Sequence, residues 1–81
     1  MKISTEGISD EQFKEHLNLI RHLQHQVPSN ALRVVLTDDS SVDGLVTIVS
    51  GNFFDVETLT GVARALMFGE VVRLEYPLGG E

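Results

Sequence analysis

Eighty-one residues, 42% apolar and 22% charged, suffice for one folded domain spanning 1–81 and are too apolar for a disordered tail. Cysteine is absent, which excludes disulfide bracing, a thiolate nucleophile and a thiolate metal cage. The net charge of −6 is concentrated after residue 34, where only Arg64 and Arg73 oppose a long series of carboxylates from Asp38 to Glu81; such a surface suits a protein partner with a basic face and disfavours nucleic acid.

Met1-Lys2-Ile3-Ser4-Thr5-Glu6 has no apolar signal-peptide core, and no run reaches membrane-spanning length, so a cytoplasmic protein without membrane contact is expected. Lys2 to Thr5 forms a first strand. Ser9, with Gln12 three residues on, makes a capping box, and Ile8 and Phe13 have the spacing of a hydrophobic staple. The helix that follows carries Phe13, Leu17, Ile20, Leu23 and Val27 on one stripe and ends near Gln26, before the Pro28-Ser29-Asn30 turn. Leu32, Val34 and Leu36 alternate with Arg33, Val35 and Thr37, and the alternation resumes at Val42, Gly44, Val46 and Ile48 after Asp38-Asp39-Ser40-Ser41, which predicts a β-hairpin. Ser50-Gly51-Asn52 is a further turn.

Asp55 is a good helix cap, Glu57 suits a first helical turn and Gly69 a helix end, so Val56, Leu59, Ala63, Leu66 and Met67 are read as the stripe of a second helix over 55–68. Thr58, Thr60 and Gly61 weaken its middle. Glu70 to Tyr76 forms the last strand, Pro77 stops it, and Gly79-Gly80 frays. The resulting fold class is α+β, a β-α-β-β-α-β open-faced sandwich with a four-stranded antiparallel sheet and two helices on one face, HPr-like or ferredoxin-like.

Lys2-Ile3, Gly7-Ile8 at the mouth of the first helix, the central hairpin and Thr58-Leu59-Thr60-Gly61-Val62 resemble the phosphocarrier protein HPr and its divergent relatives. That family carries its phosphoryl group on a histidine after the Gly-Ile pair. Ser9 stands there instead, followed by Asp10-Glu11, so the resemblance implies the fold and a regulatory or protein-binding role, not phosphoryl transfer. Leu36-Thr37-Asp38-Asp39-Ser40-Ser41-Val42-Asp43-Gly44 is also similar to the first motif of Sm-like proteins, which implies an amino-terminal helix and short bent strands in a small barrel that oligomerises and binds RNA or protein. Asp39 departs from that motif's turn glycine.

No motif marks an enzyme or a cofactor site. His22 and His25 share an exposed helix face without a carboxylate or cysteine at ligand spacing, and His16 falls within the apolar stripe. Asp38, Asp39 and Asp43 lack the alternate ligands and distal glutamate of a calcium loop. The glycines form neither a phosphate loop nor a dinucleotide fingerprint. The expected function is therefore a non-catalytic interaction module, with Phe53, Phe54, Arg64, Met67 and Phe68 as the protein-binding surface and the homo-oligomer left open. Those aromatics complete the core in the alternative reading. Thr58, where the HPr family has a regulatory serine, is a phosphosite candidate and otherwise a helix-start residue.

Overall fold

The computed structural model describes residues 2–78, so the expected fraying of Gly79 and Gly80 lies outside the described residues. The elements run β1 (Lys2–Ser4), α1 (Asp10–Gln26), β2 (Leu32–Leu36), β3 (Ser41–Val49), β4 (Phe53–Thr58), β5 (Ala63–Met67), a 3-10 turn (Phe68–Glu70) and β6 (Val71–Glu75). Helix α1 starts as its sequence dictates: Gln12 N donates to Ser9 Oγ and Ser9 N donates to Gln12 Oε1, closing the capping box. Phe13, Leu17 and Ile20 are buried and Leu23 packs against them, whereas Val27, the C-cap, is 46% exposed. Ser9→Ala should lower stability by about 1 kcal/mol against roughly 3 to 5 for Phe13→Ala. Urea unfolding checks the ordering, and equal small effects would mean that α1 contributes nothing to the core.

The second helix over 55–68 is not formed. Phe53–Thr58 and Ala63–Met67 are antiparallel strands instead, and the expected four-stranded, two-helix sandwich is replaced by one helix and a six-stranded antiparallel sheet in the order β1-β6-β2-β3-β4-β5. The overall α+β class holds. Local chemistry explains the difference. Phe54 and Val56 alternate inward at strand spacing. Gly61 adopts φ +88°, which a helix interior does not accept, and Thr58 Oγ1 closes the turn around it by donating to Val62 O at 2.8 Å and accepting from Val62 N at 3.2 Å. The residues that weaken a helix are the ones that make this hairpin. Of the proposed helical stripe only Val56 and Leu66 are buried; Leu59 is 70% exposed.

The sheet cannot be flat. Four interstrand gaps separate β5 from β6, about 19 Å in a planar sheet, yet Met67 and Val71 are four residues apart and can span at most about 14 Å. The sheet therefore curls until its far strands meet across the 3-10 turn. That turn is tied at both ends, Phe68 N donating to Asn52 O at 3.0 Å and Thr37 N donating to Glu70 O at 2.9 Å. Inside the curl, Phe13 from α1, Phe54 from β4 and Phe68 from the turn pack edge-on or tilted with ring centroids 4.9 to 6.1 Å apart.

Two irregularities shape the curl. The β3–β4 register slips between Val46 and Ile48, so Thr47 is an extra residue, and Ile48 turns outward to 52% exposure although plain alternation places it with Val42 and Val46. Gly44 is the other. A Cβ there would overlap the Glu57 carbonyl oxygen and lie 2.9 Å from Thr58 Cα, because β4 bends over the inner side of β3 at this point.

Gln24 pins α1 to the sheet. It is 3% exposed and shares the face of Phe13, Leu17 and Ile20 at helical spacing. Leu36 N donates to Ser40 O, which fixes the alternation of the β2–β3 ladder and makes Asn30 and Val46 the pair that would follow Leu32 and Gly44. Strand β2 begins only at Leu32. The Gln24 amide fills the missing rung: its Oε1 accepts from Val46 N at 2.8 Å, and its Nε2 donates to Asn30 O at 3.0 Å and Gly44 O at 3.1 Å.

Candidate protein-interaction edge

Strand β5 is the last in the sheet, and its hydrogen-bond parity decides what it offers. Thr58 N donates to Val62 O at one end of the β4–β5 ladder and Phe68 N to Asn52 O at the other, with an unbroken register between them. Alternation then aims the backbone groups of Arg64 and Leu66 at β4, and those of Ala63, Ala65 and Met67 away from the sheet. The outward N–H of Met67 donates to Glu70 Oε1 at 2.9 Å. Among the described residues the N–H groups of Ala63 and Ala65 have no acceptor, and both residues are exposed. This strand edge has two small side chains on its outer face and one charge, the exposed Arg64, on the other.

The predicted surface residues fall on both sides of the sheet. Phe53 is half-buried on the outer face and pairs across strands with Met67, which is 46% exposed; Ile48 lies on the same face, two strands in from the edge. Phe54 and Phe68 belong to the core, at 0% and 7% exposure, because consecutive strand residues face opposite ways and the 3-10 turn points Phe68 inward. They cannot serve as exposed anchors. Arg64 is exposed. Hydrogen bonds from Ser40 Oγ and Ser40 N hold the Asp38 carboxyl below the usual carboxylate range, with a smaller contribution from the Arg64 charge. Thr58 ends β4 and spends its hydroxyl on the Val62 turn and Thr60, so the helix-start reading of this residue falls.

Phe68→Ser should accordingly cost about 3 to 5 kcal/mol, and Phe53→Ser less than half as much, in chemical denaturation. Equal costs would mean that Phe53 is a core residue too.

Elsewhere, His16 is half-buried on α1, and His22 and His25 are exposed. The latter two line an open groove of about 650 Å³ with Asn18, Arg21, Leu45 and Thr47. No carboxylate lines it, and among the described residues no cluster of three histidine, aspartate or glutamate side chains is placed to hold a metal. Asp55, between Ile48 and Ala65 on the outer face, has one buried carboxylate oxygen without a hydrogen-bond partner. No helix among the described residues is long and apolar enough to cross a membrane.

Comparison of the chain with known protein families, curated proteins and solved structures finds no match. The functional reading therefore rests on the geometry. Sequence reasoning missed Ala63 and Ala65, whose alternation with Arg64 and Leu66 up to Met67 is a strand-edge signal that the helical reading of the segment concealed.

Proposed function

We propose that the protein is a non-catalytic, cytoplasmic interaction module of the Sm-like small-barrel kind, which binds protein by adding a strand to β5. The observation that carries this reading is the outward backbone groups of Ala63 and Ala65 beside the exposed Met67 and its cross-strand neighbour Phe53. Main-chain hydrogen bonds supply affinity in such a mode, and flanking side chains supply selectivity. The Sm-like reading is supported by a helix ahead of a strongly bent antiparallel sheet, by Gly44 within the second strand of the hairpin, and by short strands where a helix would have removed it. The acidic second half favours a protein occupant over RNA.

A photo-crosslinking amino acid at position 65 tests it in cells producing the full chain, with one at Glu15, exposed on α1, as control. Covalent protein adducts are expected from position 65 and not from position 15. Adducts at both positions alike, or at neither, would remove β5 as the binding edge.

A further inference from the structure

We infer that the groove between α1 and β3 binds a small molecule carrying two oxyanion groups, carboxylates or phosphates, set one helical turn apart. The distribution of charge along the chain is the first observation. The sequence holds 12 Asp and Glu residues, yet none lies between Glu15 and Asp38, a stretch that contains Arg21, Arg33 and all three histidines. Within it, Asn18, Arg21, His22 and His25 follow one another at i, i+3, i+4 and i+7 and so share one face of α1. All four line the groove from the helix side. Arg33 and Arg73 are committed to Asp43 and Glu75, and Lys14 follows Asp10 and Glu11 by one turn. Arg21 has no acid one turn away in either direction, and among the described residues no ion pair or hydrogen bond engages it.

The groove exists because β2 starts late. Its first residue, Leu32, pairs with Gly44, so beyond Gly44 the β2 side of β3 has no strand beside it, and α1 stands there with Gln24 in the first rung. Leu45, Val46 and Thr47 all line the groove, and three consecutive strand residues share one cleft only where it meets the strand's edge. The backbone there keeps an unused acceptor. Asn30 N, the donor that would come next in the ladder, turns to Val27 O at 3.1 Å, Gln24 Nε2 is spent on Asn30 O and Gly44 O, and among the described residues nothing donates to Val46 O. No carboxylate closes the groove from the strand side: two nitrogens of Arg33 hold Asp43, and Glu57, paired with Leu45, lies on the β4 side of β3.

These groups specify the ligand. Arg21 carries a fixed charge and a donor fork suited to the oxygens of a carboxylate or phosphate. Asn18, His22 and His25 add N–H donors whether or not the rings are charged. Successive turns of α1 lie about 5.4 Å apart, so Arg21 and His25 hold two oxyanion groups at that spacing better than one, and a hydroxyl between them meets Val46 O. The volume of about 650 Å³ is that of a small-molecule site. A chain of net charge −6 repels anions in general, so any binding here comes from the groove and not from the net field.

Amide NMR spectra of the full chain, titrated at neutral pH and constant ionic strength with succinate, pyrophosphate and acetate, test the proposal. Saturable shifts are expected at residues 18–25 and 45–47 with a two-anion probe, and acetate should bind at least about tenfold more weakly. The tighter of succinate and pyrophosphate names the group that the site takes. Arg21→Gln should weaken binding by about tenfold or more, while Arg64→Gln, the same loss of charge on the exposed face of β5, should leave it unchanged. Asn18→Asp keeps the shape of the side chain and supplies the carboxylate one turn from Arg21 that the sequence withholds; it should abolish binding while the rest of the spectrum stays as it was. Equal losses in Arg21→Gln and Arg64→Gln, undiminished binding to Asn18→Asp, acetate binding as tightly as succinate, or shifts that never saturate would overturn the proposal.

Discussion

Gln24→Ala is expected to destabilise the fold by about 3 to 5 kcal/mol, as much as truncating a core aromatic, although the residue removed is polar. The loss has two parts. A buried side chain leaves a cavity against α1, and the Val46 N–H, which no β2 residue can reach, loses its acceptor. Asn30 O and Gly44 O lose a donor as well. Gln24→Glu separates the parts, because it keeps the volume and the acceptor but sets a carboxylate beside two carbonyl oxygens. Its folded-state pKa should lie above the unfolded value. The variant should then be most stable below the ordinary glutamate range and lose stability as pH rises through the raised folded pKa. A Gln24→Glu protein whose urea midpoint does not fall with rising pH would mean that solvent reaches this site.

Gly44→Ala should cost at least about 3 kcal/mol, measured by the same unfolding transition. A single methyl group is rarely so expensive. Here it meets backbone, with the Glu57 carbonyl carbon 2.8 Å from the new Cβ, and backbone in a paired strand cannot step aside as a side chain can. Relief requires β4 to move off β3, which also loosens Phe54 and Val56 from the core. Gly51→Ala, where nothing lies within 4 Å of a Cβ, is the control and should be near neutral. A small effect at Gly44 would show that the sheet bends elsewhere.

How far the sequence could be read follows from the range of the forces involved. Helix α1 was legible because Ser9, Gln12, Phe13, Leu17 and Ile20 carry its cap and stripe within a few turns. The β2–β3 hairpin was legible because its two arms alternate and its turn is local. Residues 53–67 were not, since Val56, Leu59, Ala63 and Leu66 suit a helix as well as a strand, and Asp55 and Gly69 imitate helix ends. What decides them is pairing with β3, Gly44 against Thr58 and Val46 against Val56, which no local window contains. The error carried into the site. Of the residues expected at a binding surface, Met67 is exposed and Phe53 half-buried while Phe54 and Phe68 are buried, a split that a helical reading has no rule to predict, since a strand sends neighbours to opposite faces. Gln24 had a signal, its position on the Phe13-Leu17-Ile20 stripe, that a polar residue obscures.

Strand β1 has a kinetic side. The strands from β2 to β5 are joined by short turns and can form early, whereas Lys2–Ser4 must find Arg73–Glu75 at the far end of the sequence, a contact of the slow, non-local kind. With three residues and only Ile3 partly buried, it should also detach before anything else, and its amides should exchange with solvent long before those of β3 or β4. A molecule with β1 detached bares the edge of β6 while keeping that of β5. A three-residue strand is then all that covers the β6 edge, and the exchange rate of its amides measures how often that edge is bared.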